Sequence, residues 1–219
     1  MNRLALFSNR RDPCLQLGGR TIDLGRSDVV IFALPRGGVI VAEQVAVVLG
    51  APLDVVTVRT LVVPYRCEVA MGAIAESNLA VFDDAPLRRA VVRDNVMNVF
   101  RGRVEIELWL RAALYRSGRA QRSSPSVRSR CRRWCDHGST TPVVCVAARA
   151  LGATAVTVAG PVAVPEVLAH PNEPDDVICL FAPTGFCCVS LYYDVFVPTT
   201  NEEVLAALDC ADEPRRTQK

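Results

Sequence analysis

Val29-Val30-Ile31-Phe32-Ala33-Leu34-Pro35-Arg36-Gly37-Gly38-Val39 is the stretch on which the fold is decided. Its first six residues form an unbroken run rich in β-branched side chains, the pattern of a strand buried on both faces. Pro35-Arg36-Gly37-Gly38 stops that run. Val39 to Leu49 then reads as a helix, with Gly50 as its C-terminal stop. Pro52 opens a second strand, expected over Leu53 to Val58. Strand, glycine turn, helix and strand make a βαβ unit, which implies a parallel sheet with a right-handed crossover.

Outward from this unit, residues 1–28 are polar with isolated apolar anchors, and Asp12 to Leu24 predicts a short helix and a turn. Ala70 to Ile74 and Leu79 to Phe82 predict an antiparallel hairpin outside the parallel sheet. Pro86 stands at a helix N1 position, opening a helical stretch to about Tyr115. Val92, Val96, Val99, Val104, Leu108 and Ala112 recur along it near helical spacing. A polar linker follows over Arg116 to Pro125. The α/β rhythm then resumes with a helix at Pro142 to Leu151 and strands at Ala155 to Ala159 and Val177 to Phe181. A last helix spans Asn201 to Leu208, capped by Thr200 with Glu202 and Glu203 in its first turn. There is no internal repeat.

Composition narrows the function classes. Half of the 219 residues are apolar and mean hydropathy is +0.22, so a packed core is expected rather than disorder. Of the 25 basic residues, 24 are arginine; the one lysine is Lys219. Schiff-base chemistry, a lysine-bearing phosphate loop and an internal lysine acceptor are thereby excluded. Net charge is +2, yet Arg111 to Arg133 holds eight arginines and no acid, which leaves −6 on the rest. No run reaches the roughly 18–20 apolar residues needed to span a bilayer, and no signal-peptide core is seen, so a cytoplasmic location is expected. The nine cysteines read as scattered reduced thiols acting as small hydrophobes.

Leu34-Pro35-Arg36-Gly37-Gly38-Val39, with Leu49-Gly50-Ala51-Pro52-Leu53-Asp54-Val55-Val56 and Val58-Arg59, resembles the type I phosphoribosyltransferase family. Ala70-Met71-Gly72-Ala73-Ile74-Ala75-Glu76 adds to the likeness, as do Pro64, Glu68, Pro183, Phe186 and Tyr192-Tyr193-Asp194. The similarity covers nearly the whole chain and is closest to a bacterial group of predicted phosphoribosyltransferases. It implies an α/β fold, a mostly parallel central sheet with flanking helices and a small hood. Residues 1–219 would form one such domain, with 116–145 as a divergent segment.

The resemblance also implies an activity: transfer of 5-phosphoribosyl from PRPP to a nitrogen acceptor such as a nucleobase, releasing pyrophosphate with Mg²⁺ present. Arg36, Gly37 and Gly38 would bind pyrophosphate. Glycines let backbone N–H groups approach an anion, arginine adds a forked donor, and the helix start adds partial positive charge. Arg59 and Glu68 would be the catalytic residues. Where the family carries Arg-Lys, this chain has Arg59-Thr60, one cation fewer.

The family's ribose and 5-phosphate motif corresponds here to Asp136, His137, Gly138, Ser139, Thr140 and Thr141. His137 replaces a second acid, and imidazole is a poor partner for Mg²⁺. Pro142 replaces a loop glycine and offers no N–H. These departures leave two readings open: an active transferase, or an inactive homologue that binds a nucleotide or a protein partner. PRPP or a phosphorylated nucleotide is the expected small-molecule partner. No membrane or nucleic-acid partner is expected, and a homodimer is left open.

Val127 to Cys135, leading into that motif, sits where a central apolar strand belongs but contains four arginines. Burying them unpaired would cost several kcal/mol each. The segment could loop out, reflect a local reading-frame disruption, or form a functional basic patch. Cys131, Cys135 and His137 have a metal-like spacing, but zinc would need a fourth ligand from Cys145, Cys187, Cys188 or His170. Cys–His nucleophilic catalysis lacks an identifiable third residue. Eight arginines near Trp109, Tyr115 and Trp134 could track phosphates and stack on bases, though a solvated basic face is commoner.

Overall fold

Ile31, Phe32 and Ala33 divide two apolar cores. Ile31 and Ala33 point into one, with Val29; Phe32 and Val30 point into the other. This is the alternation a strand imposes when both faces are dry. The computed structural model describes residues 5–22, 29–63, 66–76, 79–82, 94–116, 119, 130–131, 141–163 and 174–212.

The predicted βαβ unit is present. β1 (Ile31–Ala33) leads through the Pro35–Arg36 turn into α2 (Gly37–Leu49), which follows α1 (Asp12–Arg20) in the chain. Gly50 ends α2 with φ 70°, a left-handed cap that glycine adopts without Cβ strain. β2 (Leu53–Val55) pairs parallel to β1, with Ile31 opposite Leu53 and Ala33 opposite Val55. The expected strand from Leu53 to Val58 is in fact two. It breaks at Val56-Thr57 and resumes as β3 (Val58–Val63) in a different sheet. The reason lies at Thr57, whose buried hydroxyl hydrogen-bonds Glu76 Oε2 at 2.9 Å and the Leu108 carbonyl at 3.3 Å.

β3 pairs antiparallel with β4 (Arg66–Ala75), and β4 with β5 (Ala80–Phe82). The predicted hairpin is therefore the outer part of a three-stranded antiparallel sheet. α3 (Asp94–Arg116) buries Val104, Leu108 and Ala112, three of the positions picked out by helical spacing. Val92 lies outside the described residues, as do the side chains of Val96 and Val99.

On the other side of β1, β6 (Arg130–Cys131) pairs in parallel, Ile31 opposite Arg130 and Phe32 opposite Cys131. The arginine-rich segment thus holds a strand position for two residues instead of looping out there. α4 (Thr141–Ala150) follows, then β7 (Thr157–Val162) and β8 (Asp176–Phe181), a parallel pair. α5 (Asn201–Asp212) closes the fold. Its start is a capping box: Thr200 Oγ accepts from the Glu203 N–H at 3.2 Å, and Glu203 Oε2 accepts from the Thr200 N–H at 2.8 Å.

α1, α2 and α5 bury their apolar faces in the core shared by Ile31 and Ala33. α4 and residues of β4 fill the other. A third cluster joins Phe7, Val162, Val189, Tyr192 and Tyr193 near the C-terminal part. The cysteines whose side chains are described are free thiols, and Cys14 and Cys145 are buried in the two main cores. Burial pushes the Cys14 thiol up to about 12, against the lowering effect of Arg11. Among the described residues no helix is long and apolar enough to cross a membrane.

Gly72 is a point of close backbone approach in the antiparallel sheet. A Cβ there would lie 2.4 Å from the Val81 carbonyl oxygen and 3.0 Å from the Phe82 Cα, both backbone atoms. G72A should destabilise the protein in urea unfolding by roughly 1–3 kcal/mol. G19A, in α1 where a Cβ meets nothing within 4 Å, should be neutral or stabilising by up to about 1 kcal/mol.

Candidate functional site at the carboxyl ends of β1 and β6

Neighbouring parallel strands lie about 4.8 Å apart and point the same way, so the carboxyl ends of β1 and β6 lie at the same end of the sheet. One leads into α2, whose first two residues are Gly37 and Gly38, with Arg36 at the N-cap. The other leads into α4, whose first residue is Thr141. Two helix starts, each with N–H groups lacking intrahelical partners, follow adjacent strand ends.

Arg36 is exposed, and the Pro35–Arg36 peptide is cis. The Arg36 carbonyl accepts from the Val39 N–H at 3.2 Å, closing the first turn of α2. Arg36 and Arg111 both act on Tyr115. Burial pushes the Tyr115 phenol up, and the two guanidinia oppose that shift. The Tyr115 hydroxyl meets Asn201 Oδ1 at 2.8 Å, which ties the end of α3 to the start of α5.

Arg59, on β3, is half-exposed and faces α3. Its Nη1 lies 3.9 Å from Glu107 Oε1, and the same oxygen takes Arg111 Nη2 at 2.6 Å. Arg59 and Arg111 thereby share one carboxylate on α3. Beneath them, Arg116 pairs with Glu76 and donates to the Val55 carbonyl at 3.4 Å. Since Glu76 also holds Thr57, the end of β2, the turn after β4 and the end of α3 share one polar knot.

Arg10 comes from the N-terminal segment and lies against Gly37. A Cβ on Gly37 would fall 2.6 Å from Arg10 Nη1 and 3.0 Å from its Cζ. The guanidinium sits 3.6 Å from the centroid of the Phe196 ring, and Nε donates to the Val197 carbonyl at 3.3 Å. Phe196 in turn packs on Tyr193, and Tyr193 on Phe7.

Of the residues expected at the site, Arg36, Gly37, Gly38 and Thr141 are placed at these two helix starts, and Thr141 is buried. Arg59 lies on β3 against Glu107 of α3, and among the interactions described no contact ties it to the two helix starts. Glu68 lies on β4 between Arg66 and Ala70, where the pairing with β3 shifts register, and its side chain is not among those described. Asp136, His137, Gly138, Ser139 and Thr140 lie outside the described residues, as do Cys135 and Trp134. Pro142 occupies the first turn of α4, where a missing N–H leaves the helix intact. Sequence reasoning did not single out Arg10, Glu107 or Arg111 for this site. The i,i+4 spacing of Glu107, Arg111 and Tyr115 was a usable signal; the reach of Arg10 to residues 196–197 left none.

No family model matches the chain. Two curated proteins from Mycobacterium tuberculosis, strains CDC 1551 / Oshkosh and H37Rv, each carry the name "Putative phosphoribosyl transferase". Both are 37% identical to this chain over 213 residues, or 95% of it. The alignment takes in 47% of their length, so the chain spans about half the length of the curated relatives it matches. Among solved structures, TT1426 from Thermus thermophilus is 31% identical, with a TM-score of 0.75 over 92% of this chain and 97% of that one. A purine phosphoribosyltransferase from Pyrococcus horikoshii Ot3 is 17% identical over 82% of this chain and 93% of that one, with a TM-score of 0.44, too low to bear on this chain.

Glu107 sets one negative charge between Arg59 and Arg111. E107Q should leave stability within about 0.5 kcal/mol, because both ion pairs are substantially exposed. It should tighten inorganic pyrophosphate binding by about 2- to 5-fold at low salt, read by calorimetry, with the gain shrinking as salt is raised.

Proposed function

The chain belongs to the phosphoribosyltransferase family, and from that premise we propose that it binds PRPP and transfers the 5-phosphoribosyl group to a nitrogen acceptor such as a nucleobase. The observation that supports this most is the start of α2. Gly37 and Gly38 present bare backbone at the carboxyl end of β1, with Arg36 at the cap. Such a turn suits a diphosphate, because N–H groups, helix partial charge and a guanidinium converge on the same oxygens.

In the proposed reaction the bond from ribose C1 to the pyrophosphate oxygen breaks, and a bond from C1 to the acceptor nitrogen forms. Pyrophosphate leaves with the electron pair of the broken bond. Arg36 and the first N–H groups of α2 would stabilise the charge that grows on it, a contribution larger in the transition state than in the ground state. Arg59 would assist after exchanging Glu107 for the substrate. Thr141, with residues 136–140, would hold the ribose and its 5-phosphate, and Glu68 would act from the bulged part of β4.

Among the described residues no group of three or more His, Cys, Asp or Glu is placed to hold a metal ion. Mg²⁺ is therefore proposed to come bound to the substrate, with phosphate oxygens and water as most of its ligands. There it would neutralise part of the diphosphate charge.

A second reading, an inactive homologue that binds a nucleotide or a protein partner, is favoured by one feature. β3 carries Thr60 where a lysine belongs, and Arg59 is paired with Glu107. Calorimetry with PRPP and Mg²⁺, then pyrophosphate release with a panel of bases, separates the two. Binding with release is expected; binding without release supports the second reading, and no PRPP binding removes PRPP transfer. R36Q should weaken PRPP by about 10- to 100-fold, the loss of a charge-assisted hydrogen-bond pair.

A further inference from the structure

Residues 6–8 run beside residues 192–195. The Leu6 and Phe7 N–H groups donate to the Tyr192 carbonyl at 3.0 and 3.1 Å, Asp194 N–H to the Phe7 carbonyl at 2.9 Å, and Val195 N–H to the Ser8 carbonyl at 3.0 Å. The pairing is parallel, and the rings of Phe7, Tyr193 and Phe196 pack along it. Just beyond the last of these bonds Arg10 meets Phe196 and Val197: its guanidinium lies 3.6 Å from the ring centroid and its Nε donates to the Val197 carbonyl at 3.3 Å. The same guanidinium fills the space a Gly37 side chain would need. The N-terminal and C-terminal segments thus reach the first turn of α2 through the Arg10 side chain.

Gly37 and Gly38 open α2, and glycine loses more conformational freedom on ordering than any other residue. A turn that its ligand must order binds that ligand less tightly than one already in place. A helical Cα–Cβ bond points sideways and back from the axis, whereas the N–H groups of the first turn point along it. Packing in the first direction therefore stiffens the turn without using the second. We propose that Arg10 is a positioning residue of this turn: packed on Gly37 and locked on residues 196–197, it preorganises the first turn of α2 for a diphosphate and couples the C-terminal segment to its binding. Seating of Arg10 and binding of the anion fix the same backbone, so whichever comes second meets less of the ordering cost. The coupling is reciprocal: the factor by which Arg10 tightens the anion is the factor by which the anion tightens the seat. The assignment rests on the PRPP reading for the identity of the ligand, and on the packing of Arg10 against Gly37 for the residue.

The test joins two measurements on the full chain, as the unmodified protein, R10A, R10M and G37A. One is calorimetric titration with inorganic pyrophosphate and with PRPP, both with Mg²⁺. The other is hydrogen exchange of the Val195 amide with and without pyrophosphate, read against the Ala153 amide, which bonds to the Ala148 carbonyl at 3.0 Å. R10A should weaken pyrophosphate by about 5- to 20-fold. R10M keeps a long side chain over Gly37 without the charge and should lose only about 2- to 3-fold, the share of through-space charge. In the unmodified protein pyrophosphate should slow Val195 exchange more than Ala153 exchange, and in R10A that difference should vanish. G37A should fold, because what its methyl displaces is the end of a flexible side chain, and it should speed Val195 exchange in the absence of ligand. The assignment fails if R10A binds pyrophosphate as the unmodified protein does, or if R10M is as weak as R10A, since charge alone would then act. It fails equally if pyrophosphate slows both amides alike, or if it still protects Val195 selectively in R10A. Should R10A not fold, R10M and G37A decide: a loss in R10M beyond about fivefold, or Val195 exchange unchanged in G37A, overturns the assignment. Arg10-dependent pyrophosphate binding without PRPP binding keeps the assignment and removes the PRPP reading. PRPP binding indifferent to Arg10 does the reverse, and no anion binding at all removes both.

Discussion

A strand that is dry on both faces leaves its backbone one recourse, which is full pairing within the sheet. β1 is such a strand: Ile31, Phe32 and Ala33 are each at most 1% exposed. An unpaired N–H or carbonyl there would carry the full desolvation penalty, roughly 1–3 kcal/mol. β2 satisfies one edge. The other edge has to be satisfied by whatever chain returns beside it, and that chain is Arg130–Cys131. Side-chain composition argues against a strand at this place, while the backbone of β1 requires one. Two paired residues are what the balance between these demands leaves among the described residues.

The same constraint sets where the site can be. Because β1 is held on both edges, its carboxyl end is fixed, and the turn at Pro35–Gly38 inherits a fixed position and direction. The Ala33 carbonyl accepts from the Val56 N–H at 3.0 Å, which carries the order one residue past β2. From there Thr57, Glu76 and Arg116 pass it to the antiparallel sheet and to α3. Glu76 and Arg116 are both largely buried, and such a pair contributes orientation more dependably than net stability. Its consequence lies at the end of α3, where Tyr115 is held at Asn201 and feels the charges of Arg111 and Arg36.

The charge pattern of the chain also resolves at this point. In sequence, Arg111 to Arg133 is a block of eight arginines without an acid. In the fold, Arg111 meets Glu107, Arg116 meets Glu76 and Arg119 meets Asp209. All three acids lie outside the block, so these three of its eight arginines meet partners from elsewhere in the chain. The local regularities were legible because each depends on neighbours in sequence. The strand-turn-helix of 29–49, the glycine stop at 50, the hairpin around Glu76 and the cap at Thr200 are of this kind. The break at Thr57 and the approach of Arg10 to Gly37 were not legible. Each depends on a side chain meeting a partner far along the chain, and neither periodicity nor spacing records such meetings.

Thr60 shows why reading a site by chain position alone understates it. A lysine missing from β3 removes a charge at one address. What a diphosphate experiences is the field at its own oxygens, which depends on distance and burial and not on which segment supplies the charge. Around the start of α2 the fold gathers Arg36 from the turn and Arg10 from the N-terminal segment. Arginine cannot replace a lysine as a compact point charge, but its planar fork suits paired phosphate oxygens better, and it stays protonated at any working pH. A chain whose only lysine is Lys219 can therefore still assemble a cationic turn, provided its arginines are held rigidly enough to act together. The Phe196 ring beneath Arg10 and the Asn201 contact on Tyr115 both come from the C-terminal segment.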